Sequence, residues 1–250
     1  MKKQNKLNGL YAHKNGDLTW HMDGKLHRED GPAVVRADGH KEWRYMGKLH
    51  RLDGPAVICA NGTEYYYYMG KDHRTDGPAT ICADGTKHWY CMGLLHRTDG
   101  PAIIRPNGDK LWFYMGTHHR MDGPATERVD GGKCWVIMGE FHKVDGPAIV
   151  SAKGDRYWYQ NNKLHRTDGP SVERIDGYIA YHRNGKYHRE NGPAIVDAIG
   201  NKFWYHDGEL HRTDGAAIEY VNGEKEYYVN GQLVASQSLF YTTIEQRSFL

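Results

Sequence analysis

His96-Arg97-Thr98-Asp99-Gly100-Pro101-Ala102 is the stretch that decides the fold, because the same seven-residue phrase returns at a fixed spacing. It begins at His27, His50, His73, His96, His119, His142, His165, His188 and His211, every 23 residues, with no insertion or deletion between copies. A period of this size marks a repeat architecture, in which each unit packs on its neighbours and the fold grows in one dimension.

Residues 41 to 63 serve as the type unit. Lys41 to Tyr45 reads as a strand and Met46-Gly47 as a tight turn. Lys48 to Ile58 reads as a second strand interrupted at Asp53-Gly54-Pro55, and Asn61-Gly62 as the next turn. Asn-Gly and Asp-Gly tolerate the positive φ that type I′ hairpins need. Asp38-Gly39, Asp84-Gly85 and Asn107-Gly108 supply such turns at one end, and Asp23-Gly24, Asn184-Gly185 and Asn230-Gly231 at the other. Turns alternating between two ends make an antiparallel meander. Proline cannot donate to a ladder and glycine relaxes the backbone, so Asp-Gly-Pro predicts a bulge that bends every return strand in the same place.

All seven tryptophans, Trp20, Trp43, Trp89, Trp112, Trp135, Trp158 and Trp204, occupy one column of the period, with Tyr66, Tyr181 and Tyr227 in its remaining places. Such a column predicts an aromatic spine. The β-branched column Val34, Val57, Ile103, Ile149, Val172, Ile195 and Ile218 is expected to pack between the rings. The fold class is therefore all-β: an elongated, single-layer antiparallel meander of 23-residue hairpin repeats, twisted or curved. About twenty strands at about 4.8 Å each would extend it roughly 90 Å. Residues 1–24 read as a degenerate half-repeat cap, 25–233 as nine repeats, and 234–250 as a tail that caps the last strand or docks elsewhere.

Hydrophobic residues make up 39% of the chain and mean hydropathy is −0.79, which fits a thin body better than a thick core. Thirty-three basic against 31 acidic residues leave a formal charge of +2, so no overall field pulls the chain toward nucleic acid or an anionic membrane. Cys59 and Cys82 hold equivalent places in adjacent repeats, about 9–10 Å apart by strand spacing, too far for a disulfide. With only Cys91 and Cys134 besides them, a reducing, cytoplasmic setting is expected. Met1 to Leu7 is basic without the apolar run of a signal peptide, and no apolar stretch is long enough to span a bilayer.

An aromatic, then a turn glycine, then a second glycine in the return strand of a 23-residue hairpin resembles the MORN repeat. The form Gly93-Leu94-Leu95-His96-Arg97-Thr98-Asp99-Gly100-Pro101-Ala102 is more similar to the variant MORN-like repeats of bacterial, phage and large-virus proteins, YwqK-type antitoxin-like proteins among them. The likeness covers residues 9–233. His-Arg-x-Asp-Gly-Pro stands where the usual repeat has a plainer glycine-rich phrase, so the lipid binding of some MORN proteins does not transfer. The resemblance implies a sheet used for protein association, as a scaffold or as an inhibitor that covers its target. It carries no catalytic residue and no cofactor.

The rows of His50, Arg51, Asp53, His96, Arg97 and Asp99 invite a metal or hydrolase reading. Equivalent histidines about 9–10 Å apart cannot share one zinc ion, and nothing in the sequence marks one copy out for catalysis. The structural reading has arginine and aspartate paired on one side of the strand and histidine making a neutral cross-strand hydrogen bond. A basic row, Lys41, Lys87, Lys110, Lys133, Arg156, Lys202 and Lys225, shares the parity of the tryptophans and could track a nucleic-acid backbone, but Glu64 and Ile179 interrupt it. On the opposite face Tyr67, Tyr90, Phe113, Tyr159, Tyr205 and Tyr228 form one column. Tyrosine is enriched at interfaces, which makes this column the expected docking face for a protein of unspecified identity; a homodimer is compatible with it. Met46, Met69, Met92, Met115 and Met138 hold the turn position that Asn161, Asn184, Asp207 and Asn230 take later, giving the N-terminal half an adaptable apolar edge.

Overall fold

The computed structural model describes residues 7–234, so the tail expected to cap or dock lies almost wholly outside the described residues. They contain no helix and consist of very short antiparallel strands joined by tight turns. The chain divides into two compact units, residues 1–120 and 121–250. The same repeat builds both.

The type unit shows why the strands are short. Lys41–Glu42 pairs with Val57–Ile58, and that pair continues through Glu64–Tyr65 to Thr80–Ile81 as a long ladder of two-residue rungs. Arg44–Tyr45 pairs instead with Lys48–Leu49 in a hairpin of its own. Trp43 stands at the junction. Its N–H donates to Ala56 O at 2.7 Å, and its carbonyl accepts His50 N–H at 3.0 Å. Between those two bonds residues 51–55 leave the sheet. The return strand expected from Lys48 to Ile58 is thus two strands in two different ladders, separated by a five-residue loop rather than by a bulge. The second unit repeats this plan, with Cys134, Ile149, Tyr157, Val172, Ala180 and Ile195 succeeding one another along its long ladder.

The two ends turn differently. Met46-Gly47 has φ of 47° and 89°, the pair of positive values expected of type I′. At the opposite end only Gly62 is left-handed, at 84°. There Gly62 N–H bonds Cys59 O and Cys59 N–H bonds Thr63 O, which defines a three-residue loop closed by a bulged glycine, so type I′ is corrected for this end. The reason is the Asn61 side chain, whose Oδ1 accepts Thr63 N–H at 3.0 Å and holds Asn61 itself out of the left-handed region.

Cross-strand partners share a face, so the β-branched column lies with Glu42 and Tyr65, not between the indoles. Fully buried alanines lie opposite the tryptophans instead: Ala56 and its equivalents from Ala33 to Ala217. Only the smallest side chain fits there, and Ser171 alone replaces it.

Candidate protein-binding surfaces

Each of these loops folds back over the aromatic ring of its own repeat, an indole in most copies and Tyr66 or Tyr181 in two. Arg51 Cζ lies 4.1 Å from the Trp43 ring centroid, and Arg97 lies 4.3 Å over Trp89. Arg120 over Trp112, Lys143 over Trp135 and Arg166 over Trp158 repeat the arrangement. The guanidinium is fixed from three sides. Arg51 Nε donates to Asp53 Oδ1 at 2.9 Å, its Nη1 donates to Pro55 O at 3.3 Å, and Gly54 packs against its flat face. A Cβ on Gly54 would sit 2.9 Å from Arg51 Cζ, so this glycine is required for close approach and not for backbone freedom. Arg97 and Asp99 repeat the pair at 2.8 Å, and the arginine holds each aspartate below its ordinary pKa. Gly146 and Gly192 swing to φ of 119° and 114° in loops that have Lys143 in place of the arginine or Asn191 in place of the aspartate. Arg51 with Asp53 and Arg97 with Asp99 thus form a pair within each of these loops.

Histidine couples one repeat to the next. His50 Nδ1 accepts Met69 N–H at 3.3 Å, and His96 Nδ1 accepts Met115 N–H at 3.2 Å. In place of a tryptophan spine stacked on aliphatics, the order is indole, arginine and glycine within a loop, and histidine to turn amide between loops. At the other end short polar side chains do the same work: Thr63 Oγ1 accepts Ala83 N–H and Asp155 Oδ1 accepts Ile175 N–H.

Apart from half-buried Met46 the methionine turns are exposed, and all sit in an unfavourable backbone region. Met69, Met92 and Met115 have φ of 49°, 51° and 47° and are 38%, 43% and 49% exposed. Tyr67, Tyr90, Phe113, Tyr159, Tyr205 and Tyr228 are half-buried and lean on neighbouring rings or leucines rather than standing open. Burial and the neighbouring Asp72 push Tyr67 up to about 12. The row from Lys41 to Lys225 is exposed throughout.

Sequence reasoning missed three features. Leu52, Met121 and Val144, at the variable position of the phrase, are exposed loop tips. Ser171 Oγ lies 2.7 Å from His182 Nδ1 in a fully enclosed position, where burial pushes His182 down to about 4. Both depart from their columns together, serine for alanine and histidine for tyrosine, and that paired departure was the available signal. Enclosure excludes this pair from any reaction with a substrate. The third is His188, His206 and Asp207, which offer one donor atom each within 4.8 Å. Arg183 Nη2 donates to Asp207 Oδ1 at 2.8 Å, so a guanidinium already holds the carboxylate a cation would need.

No family model matches the chain, and no curated protein matches it. No helix among the described residues is long and apolar enough to cross a membrane.

Proposed function

We propose that this chain is a MORN-like, non-enzymatic protein-binding array, acting as a scaffold or as an inhibitor or antitoxin-like protein of phage type in the cytoplasm. One observation carries the reading: Met69, Met92 and Met115 occupy left-handed turn positions while remaining exposed. A left-handed conformation costs a branched or long side chain about 1 kcal/mol relative to asparagine, and exposure denies methionine the packing that would offset it. Asn161, Asn184 and Asn230 occupy the same place later in the chain, so the turn itself does not need methionine. A row of adaptable thioethers at one edge, beside half-exposed tyrosines, is suited to covering a partner's apolar surface.

The test is affinity capture from the native host with the wild-type chain, the triple variant Met69→Asn, Met92→Asn, Met115→Asn, and the double variant Tyr90→Asp, Phe113→Asp. Capture of one protein by the wild type, lost in the triple variant with the fold intact, supports the reading. Equal capture by the triple variant refutes the methionine edge, and loss only in the double variant moves the site to the tyrosine face.

A further inference from the structure

An asparagine followed by glycine is the dipeptide most prone to lose its side-chain ammonia, because a residue without a Cβ lets its own amide nitrogen approach the carboxamide before it. The chain carries eight such pairs, and seven of them are held. In Asn61-Gly62 the carboxamide accepts Thr63 N–H at 3.0 Å while Gly62 N–H donates to Cys59 O at 2.9 Å. Asn15, Asn107 and Asn222 make the same two bonds with their glycines. After Asn184 and Asn230 the glycine amide donates to a carbonyl of the preceding repeat, and Asn8 accepts Asp23 N–H.

Asn191-Gly192 is the exception. It lies in the loop that leaves the sheet between His188 and Ala194, and Asn191 is exposed. Among the described residues neither the Asn191 carboxamide nor the Gly192 N–H makes a hydrogen bond. A nucleophile and its target adjacent in the chain, outside any ladder and with no bond to break first, meet without local unfolding. Arg189 supplies a charge beside them. Its guanidinium is fixed on Tyr181 at 3.9 Å and by donation to Pro193 O at 3.1 Å, and a Cβ on Gly192 would stand 3.2 Å from its Nη1. A fixed cation against Gly192 stabilises the negative charge that develops on an attacking amide nitrogen and on the oxygen of the carbon it attacks.

We propose that Asn191 is a site of spontaneous deamidation and that Arg189 takes up the aspartate it yields. Gly192 N attacks Asn191 Cγ, the new C–N bond closes a cyclic imide, and Nδ2 leaves as ammonia with the proton of the glycine amide. Water then opens the imide, giving its hydroxyl to one carbonyl carbon and a proton to the nitrogen set free. Breaking the new bond leaves aspartate; breaking the old peptide bond leaves isoaspartate, with an extra carbon in the backbone. Aspartate is the residue that Arg28, Arg51, Arg74, Arg97, Arg166 and Arg212 hold through Nε in the sister loops. The Arg189 fork, on its aromatic ring and tied to its loop carbonyl as theirs are, is already shaped for it.

The reaction needs only water, so the full chain in mildly alkaline buffer at physiological temperature tests it without any protein partner. Tryptic peptide mapping by mass spectrometry is expected to show a gain of about 1 Da in residues 190–202. That gain should appear about tenfold faster than in residues 52–71, which carry Asn61, or 213–225, which carry Asn222. In urea the three rates are expected to converge, and Asn191→Gln, at an exposed position, is expected to abolish the early gain. The nitrogen-15 signal of Arg189 Nε–H should move in step with the mass, to the position it holds in Asn191→Asp. Equal rates in the folded chain, a rate advantage that survives urea, or a gain that persists in Asn191→Gln overturns the assignment of the site. A mass gain with the Arg189 signal unmoved overturns the uptake by arginine.

Discussion

Gly54→Ala is the substitution that most directly tests how a loop is held. Gly54 does not lie in the left-handed region, so alanine is compatible with its backbone, and in isolation the change should stabilise the fold by about 0.5 kcal/mol through the unfolded state. The added Cβ would stand 2.9 Å from Arg51 Cζ and 3.1 Å from Nη2, closer than such atoms approach. The guanidinium must therefore shift, and the expectation is that it gives up its place on the Trp43 ring. That loses a cation–π contact at 4.1 Å, worth about 1 kcal/mol half-buried, and the bond to Pro55 O at 3.3 Å, worth about 1 kcal/mol more. The pair with solvent-facing Asp53 adds little. The expected cost is about 2 kcal/mol, read from the midpoint of guanidinium unfolding by circular dichroism and tryptophan fluorescence. In an Arg51→Ala background the same change should be neutral or slightly stabilising, because nothing remains for the Cβ to displace. A cost that is equal in both backgrounds would place it in the backbone and refute the close-approach argument.

Trp158→Ala, at the most buried indole, should destabilise by about 3–5 kcal/mol in the same assay, and a loss below about 1 kcal/mol would deny the rings their structural role. His182 is held neutral, its pKa pushed down to about 4 from an ordinary 6.5 by burial. Protons then favour the unfolded chain, so this contribution is intact above about pH 6.5 and is lost as pH falls toward 4, by about 3 kcal/mol in all. His182→Phe should flatten that part of the stability profile, and an unchanged slope would show that other groups cause it. Met92→Asn should raise stability by about 1 kcal/mol by relieving a φ of 51°; a loss would mean that the thioether packs better than its exposure indicates.

The period of 23 carried the architecture. Because no copy is longer or shorter, the chain can only lay equivalent residues side by side, and the all-β meander and the nearness of Arg51 to Asp53 followed from residue chemistry at fixed offsets. Other parts were not legible. Whether Asn61-Gly62 forms a two-residue or a three-residue turn depends on where Asn61 Oδ1 finds an amide, and that needs coordinates. The face of Val57 depends on the register with Glu42 and Tyr65, which a loop of five residues resets after each tryptophan.

The sequence by itself determined the repeat, its length and the residue types at each column, since these are covalent facts repeated nine times. Only the tertiary structure decided that arginine lies flat between indole and glycine and that histidine reaches the turn amide of the next repeat. Those relations join residues 19 or more apart, or fix the direction of a planar group within a loop. Distance along the chain specifies neither; close packing and the need to satisfy buried polar atoms do.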